Sequence, residues 1–450
     1  MMASIGSARK ATAGPWSCRS RRRRRPGAVA GLVGVAVALA MTVPACTSAQ
    51  PSRSAAAGGS PPVVSPSGMS CAWPTELSAQ TDNTAFPDAA EVEFGQLIVA
   101  SAGTRIVMSG RFPDARYASV EVYTPGGVGA SLPDYRITPW PGSVNPWRQQ
   151  AAPGGRFMVT IGPDPAPGQA NTLPMPAGTT SQHPGYLVYR IYLPAGGDPS
   201  DVPLPLLTVE QGDAARALPA CRSRNAAVHF PAVSGSVGSG AGGSGAAAPP
   251  PSQLEFFKPQ QSTFNNAGLA NVDTSYVLAY LVRPPAADVV VVTAKAPTFA
   301  PGSRPSPWPA RGEDVRYWSM CIGALIHLVP VVANTLPGGG TDYGCRADEA
   351  TRLNAAGDYT YVIGSESQRA AISRVPGVTF LPFSTTRPAG PYLLALRNVL
   401  VSTSFTHSPQ AITQSSDPAA AAAVMGSYYP RVAVCPLATL TAEGPQACLR

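Results

Sequence analysis

Residues 185–193 read GYLVYRIYL and residues 391–400 read PYLLALRNVL. Each is a short run of aromatic and aliphatic residues opened by Gly or Pro, with one arginine set late in an otherwise apolar segment. Such residues fit the pleated, half-buried surface of a β-sheet. Three further segments upstream repeat in the same order. IVMSGRFP at 106–113 matches VVVTAKAP at 290–297, a strand followed by a basic residue two before a proline. ARYASV at 115–120 matches VRYWSM at 315–320, sharing Arg116/Arg316, Tyr117/Tyr317 and Ser119/Ser319. GRFMVTIG at 155–162 matches GDYTYVIG at 357–364. One such match would be noise, but four in one order predict an internal duplication.

Most of these segments are short, partly alternating and bounded by Pro and Gly, which predicts an all-β fold: two tandem β-sandwich modules. The frequent prolines mark edges and loops, because proline cannot donate to a sheet ladder. Helix is expected only locally. Residues 419–425 should form one, capped by Asp417 with Pro418 in the first turn, and residues 348–355 a short one.

Composition sets the boundaries. Residues 231–252 are rich in Gly, Ser, Ala and Pro and carry no charge, so they read as a linker between modules at 71–230 and 253–450, the second with a C-terminal tail. Within these modules RYWSMC at 316–321, the GDYTYVIG strand, FLPF at 380–383 and GPYLLALRNVL at 390–400 resemble the β-rich family catalogued as domain of unknown function 1214. The resemblance covers about residues 255–430, and 90–210 more loosely, and the whole chain is similar to uncharacterised secreted proteins and lipoproteins of actinobacteria. It implies a jelly-roll-like fold for each module. It implies no activity.

The N-terminus reads as an export signal. A basic segment ending at residues 21–25 precedes an uncharged apolar run at 28–41, then Val43, Pro44, Ala45 and Cys46. The run has 14 residues, within the roughly 7–15 of a signal core and short of the roughly 20 that span a bilayer. Small residues before a cysteine suit lipoprotein signal peptidase, so residues 1–45 are expected to be removed and Cys46 acylated. Ordinary secretory cleavage nearby is the alternative. Residues 46–70 hold one charge, Arg53, and lack the apolar content to fold, as a tether would.

The formal charge of +8 comes entirely from this signal, which holds eight cations and no acid; without it, 25 basic face 25 acidic residues. A near-neutral mature chain gives no support to nucleic-acid binding. Six cysteines remain in the modules: Cys71, Cys221, Cys321, Cys345, Cys435 and Cys448. An even number in an exported chain, without metal-type spacing, argues for disulfides. Among the possible connectivities, placement favours Cys71 with Cys221, Cys321 with Cys345, and Cys435 with Cys448.

No catalytic, cofactor or metal motif stands out. His183, His229, His327 and His407 are widely separated, and there is neither a nucleophile elbow nor a Walker loop. Glu313, Asp314, Asp342, Asp348 and Glu349 are enough acids for a glycosidase pair, but loop acids are ordinarily solvated. The best ligand-binding candidate is YRITPWPGSVNPWR at 135–148, where Trp140 and Trp147 lie beside Tyr135, Arg136 and Arg148; Trp308 has a similar Pro-rich setting. Flat rings with nearby donors suit a sugar or an apolar group, while the plainer reading is that the rings staple a loop. The repeated Arg/Tyr/Ser triplet is read as structural, since duplicated modules retain sheet-pairing residues. The expectation is therefore a membrane-anchored envelope lipoprotein, a non-enzymatic binding or structural protein whose partner is a cell-wall glycan, a lipid or an envelope protein. The alternative is an exported carbohydrate-active hydrolase with carboxylates in a cleft between the modules.

Overall fold

Along residues 104–111 the side chains of Ile106 and Met108 are fully buried while Arg105 and Arg111 are exposed, the period of two that a one-sided strand requires. Strands form most of the regular structure among the described residues. The computed structural model describes residues 69–150, 154–163, 168–197, 202–226, 254–260, 270–326 and 329–450. The expected signal peptide, Cys46, most of the tether, the linker at 231–252, His229 and His327 lie outside the described residues. One compact unit, Pro62–Arg450, holds every described residue.

The first module contains β1 (Thr75–Leu77), β2 (Glu91–Ile98), β3 (Thr104–Arg111), β4 (Ala115–Thr124), β5 (Gly127–Pro133), β6 (Arg156–Gly162), β7 (Thr172–Pro174), β8 (Gly185–Pro194), β9 (Leu206–Gln211) and β10 (Ala214–Ala217). The second contains β11 (Thr274–Leu281), β12 (Asp288–Lys295), β13 (Val315–Ala324), β14 (Ala333–Thr335), β15 (Thr341–Tyr343), β16 (Cys345–Ala347), β17 (Asp358–Gly364), β18 (Val378–Pro382), β19 (Tyr392–Val401) and β20 (Arg431–Pro436). One sheet of the first module runs β1-β2-β8-β4-β5 and the other β10-β9-β3-β6-β7. The second module repeats them as β11-β19-β13-β16 and β20-β12-β17-β18. Even the parallel pair recurs, β6 with β7 and β17 with β18. The fold is all-β, as expected.

The registers agree with the sequence repeat residue by residue. Ile106 pairs with Ile161 and Val290 with Ile363; Ser119 pairs with Arg190 and Ser319 with Arg397. The last pairing aligns the two arginines, one position away from an alignment on the first residues of the segments.

Within each module the sheets enclose an apolar core: Ile106, Met108, Val159 and Ile161 face Phe94, Val120 and Leu187 in the first, and Val290, Val292 and Ile363 face Val277, Met320 and Leu394 in the second. β4, β8, β13 and β19 are nevertheless buried along nearly their whole length on both faces. Their second faces meet across the modules, where Tyr117 and Tyr192 pack with Tyr317 and Val399. Loop residues preceding β2 extend the contact. Phe86 lies over β13 at Gly323, where a Cβ would strike its ring, and the Asn83 amide exchanges two 2.8 Å hydrogen bonds with the Val331 backbone.

Three disulfides brace the fold: Cys71–Cys221, Cys321–Cys345 and Cys435–Cys448. They fit an oxidising, extracytoplasmic compartment. No helix among the described residues is long and apolar enough to cross a membrane.

Two local expectations need correction. The helix at Pro418–Met425 forms with the Asp417 carboxylate accepting the Ala420 N–H, but the segment from Asp348 makes only the single 3-10 turn Asp348–Ala350. There the Asp348 side chain reaches back to Trp318 instead of supporting a longer helix. The C-terminal segment is not a tail, because β20 pairs with β12 at the sheet edge and the helix Leu437–Glu443 buries Leu440.

Candidate functional site at the seam between the modules

The repeated arginines converge on the seam. In each module the strand that pairs beside the triplet strand, β5 or β16, runs directly into one 3-10 turn, Asp134–Arg136 or Asp348–Ala350. The first residue of each turn accepts an equivalent backbone N–H, Ala118 to Asp134 at 2.8 Å and Trp318 to Asp348 at 3.2 Å. Each aspartate then receives the arginine of the other module. Arg116 donates to both Asp348 oxygens at 2.6 and 2.7 Å, and Arg316 approaches Asp134 at 3.8 Å. This reciprocity is that of an isologous two-fold interface, here made within one chain.

The two halves are not equally tight. The Arg116 guanidinium also reaches Glu349 and the Gly302 carbonyl, both at 2.6 Å, so the second module holds all of it. Arg316 donates one good bond, to the Arg116 carbonyl at 2.9 Å, and lies over the Trp308 ring. That carbonyl also accepts the Trp147 indole N–H at 2.9 Å.

A second cluster centres on Arg190 and Arg397. Arg190 contacts Glu91, Glu93 and Glu121, each at 2.6 Å. Arg397 lies 3.2 Å from Asp88 and 3.7 Å from the other oxygen of Glu91, so Glu91 joins the arginines of the two modules. Two guanidiniums thus face four carboxylates. Burial, aided by the neighbouring Glu91 charge and opposed by Arg190, raises Glu93 to about 8. Burial likewise raises Asp134 and Asp348 to about 6, against the pull of Arg316 and Arg116 respectively. Asp273, which accepts the Tyr117 hydroxyl at 2.9 Å from across the seam, is raised to about 7 by desolvation and the Glu121 charge.

The ligand-candidate residues divide. Trp147 is fully buried and Trp308 nearly so, joined by a 2.8 Å bond from the Trp308 N–H to the Trp147 carbonyl. Both rings staple loops onto the seam. Trp140 is 45% exposed. Arg148 folds back onto the carbonyls of Tyr135 and Arg136, and Arg136 stacks on the Tyr135 ring.

The acids do not form a free pair. Asp348 and Glu349 are held by Arg116, Asp342 by Arg346 and Arg369, and Asp314 accepts the Thr298 N–H; Glu313 alone has a buried oxygen without a partner. Asp88, Cys321 and Cys345 come close enough to share an ion, but the two sulfurs are bonded to each other. His183 and His407 lie apart in different modules, and His407 Nδ1 meets the Val424 carbonyl. Asp88, Glu91, Glu121, Asp134 and Asp273 carry the seam yet escaped the sequence reading. Their signal was a second charge inside a largely apolar strand, as Glu121 beside Arg116 in β4, or an aspartate directly after β5 and β16.

These features define a disulfide-braced all-β protein of two sandwiches joined by a buried ionic seam. No family model matches the chain, and no curated protein matches it. Among solved structures it is similar to an uncharacterised protein from Burkholderia cenocepacia, at 14% identity over 82% of this chain and 83% of that one, with a TM-score of 0.46. An anti-sigma factor domain-containing protein aligns over 78% of this chain and 80% of its own at 7% identity and a TM-score of 0.16. The BSP domain of a biofilm associated protein does so over 74% and 50% at 8% identity and a TM-score of 0.17. Similarities at this level assign neither fold nor activity.

Proposed function

We propose that this chain is an envelope lipoprotein, anchored through acylated Cys46, whose two modules act as one rigid, non-enzymatic binding or structural body. The observation that carries the reading is the occupation of the inter-module carboxylates by arginine. A glycosidase needs two acids facing each other about 5–10 Å apart across an open cleft. Between these modules there is a packed seam, where Arg116 pairs with buried Asp348 and, at its exposed rim, with Glu349. The disulfides support an extracytoplasmic setting, and the lipobox-like sequence supports attachment. Two or more acyl chains, at about 0.8 kcal/mol per buried methylene, would hold the protein at the membrane. The likeness to the family of domain of unknown function 1214 belongs to the same proposal and adds no activity. Metabolic palmitate labelling tests it: wild type should carry label in the membrane fraction and Cys46→Ala should not. An unlabelled wild type overturns the lipoprotein reading.

A further inference from the structure

The sheet of the first module that faces away from the seam carries an unpartnered patch. Strand alternation turns Leu206, Ser109 and Met158 outward in one cross-strand row, with Arg111 opposite Arg156 in the next. The antiparallel bridge of Pro139 to Phe157, one position along from Arg156, sets Trp140 beside that second row, and the Trp140 N–H donates to the Arg156 carbonyl at 2.8 Å. Leu206 is 66% exposed, Trp140 45% and Met158 36%. Like charges set directly opposite one another destabilise a sheet. The strand acid on this face, Glu210, lies at the far end, 4.0 Å from Arg105. The outer sheet is therefore cationic and apolar at one end, a local asymmetry that the balanced charge of the chain beyond residue 45 conceals.

We infer that this end of the outer sheet, Trp140, Met158 and Leu206 with Arg111 and Arg156, is a docking surface for an anionic lipid bilayer. An indole and aliphatic side chains suit the interfacial zone of a membrane, and arginines keep their heads at the phosphates while their stems lie along apolar surface. Isolated Leu and Met offer a sugar no hydrogen bond, which favours lipid over glycan. Arg216 on β10, at the opposite edge of this same sheet, holds the Met69 carbonyl at 2.7 Å, so the chain leading from Cys46 joins the sheet that carries the patch. The inference extends the membrane attachment proposed above but does not depend on acylation.

The test uses the chain from residue 47 onward, which keeps every described residue and lacks both signal and Cys46. It should sediment with vesicles of phosphatidylcholine mixed with phosphatidylglycerol, not with phosphatidylcholine alone, and salt should release it. At about fivefold per basic residue, Arg111→Gln with Arg156→Gln should weaken binding about 25-fold. Trp140→Ala should remove the blue shift of tryptophan emission on binding, with near-ultraviolet circular dichroism confirming the fold of both variants. Equal binding to neutral vesicles, indifference to the arginine variants, or capture by a soluble anionic polysaccharide in place of vesicles overturns the proposal. Because Cys46 is absent, that failure leaves the acylation result standing, and a negative palmitate result leaves this surface standing.

Discussion

Arg116 and Arg316 occupy equivalent positions 200 residues apart, yet their surroundings predict different energetic weights. Removing one partner of a buried ion pair strands the other charge, and the penalty is set by how completely the lost group had satisfied it. Arg116 Nη1 meets both Asp348 oxygens at 2.6 and 2.7 Å, whereas Arg316 stands 3.8 Å from Asp134. Arg116→Ala should therefore cost about 3–5 kcal/mol. Arg316→Ala should cost less, about 1.5–3 kcal/mol, the scale of one hydrogen bond from a charged donor. Urea denaturation of the two variants measures the difference. Replacing both partners, Arg116→Met with Asp348→Leu, should recover most of the loss, because an apolar pair avoids the desolvation that the ion pair incurs. Equal losses for Arg116→Ala and Arg316→Ala would show that the seam is energetically symmetric despite its geometry.

Among the elements, the loop between β5 and β6 carries two tryptophans that differ only in where the chain sets them. Trp147 is sealed against Phe112 and the Arg116 carbonyl, while Trp140 projects from the outer sheet. Trp147→Ala should cost about 3–5 kcal/mol of stability by cavity formation. Trp140→Ala should stay within about 0.5 kcal/mol, as surface changes do. Denaturant midpoints decide, and a neutral Trp147→Ala would refute the stapling role. The same loop marks where sequence reading stops. Strand identity, duplication and disulfide pairing were legible because each rests on local pattern: period two, repeated order, and cysteine placement. The division of labour between Trp140 and Trp147 rests on which side of a sheet a Pro-rich loop crosses, and no local pattern encodes that. The seam was half legible. Arg116, Arg316, Arg190 and Arg397 showed up as repeated charges in apolar strands, but the carboxylates facing them come from other strands and from loops of the opposite module. Continuous burial of β4 and β13 was visible as weak alternation, which alone does not say whether a second module or solvent covers the other face.

At the scale of the molecule, the seam sets how stability responds to pH. Asp134, Asp348 and Asp273 each contact the opposite module, and burial raises the first two to about 6 and the third to about 7. Glu93, in the cluster where two guanidiniums face four carboxylates, is raised to about 8. In the unfolded chain such groups titrate near 4. Between about pH 4 and 8 these groups therefore hold more protons in the folded state than in the unfolded one, so their contribution to stability falls as pH rises through that window. The contribution is complete below the unfolded values and is lost as each folded value is passed. Because these groups lie where the modules join, the loss should not split the molecule into independent halves; both inner sheets would have to expose buried faces at once. A single cooperative transition is expected by calorimetry at about pH 5 and about pH 8, with the lower midpoint at the higher pH. Asp273→Asn, which keeps an acceptor for the Tyr117 hydroxyl without the charge, should flatten the upper part of that pH profile. Two resolved transitions would show that the modules unfold separately, and a midpoint that rises from about pH 5 to about pH 8 would show that arginine pairing outweighs desolvation across the seam.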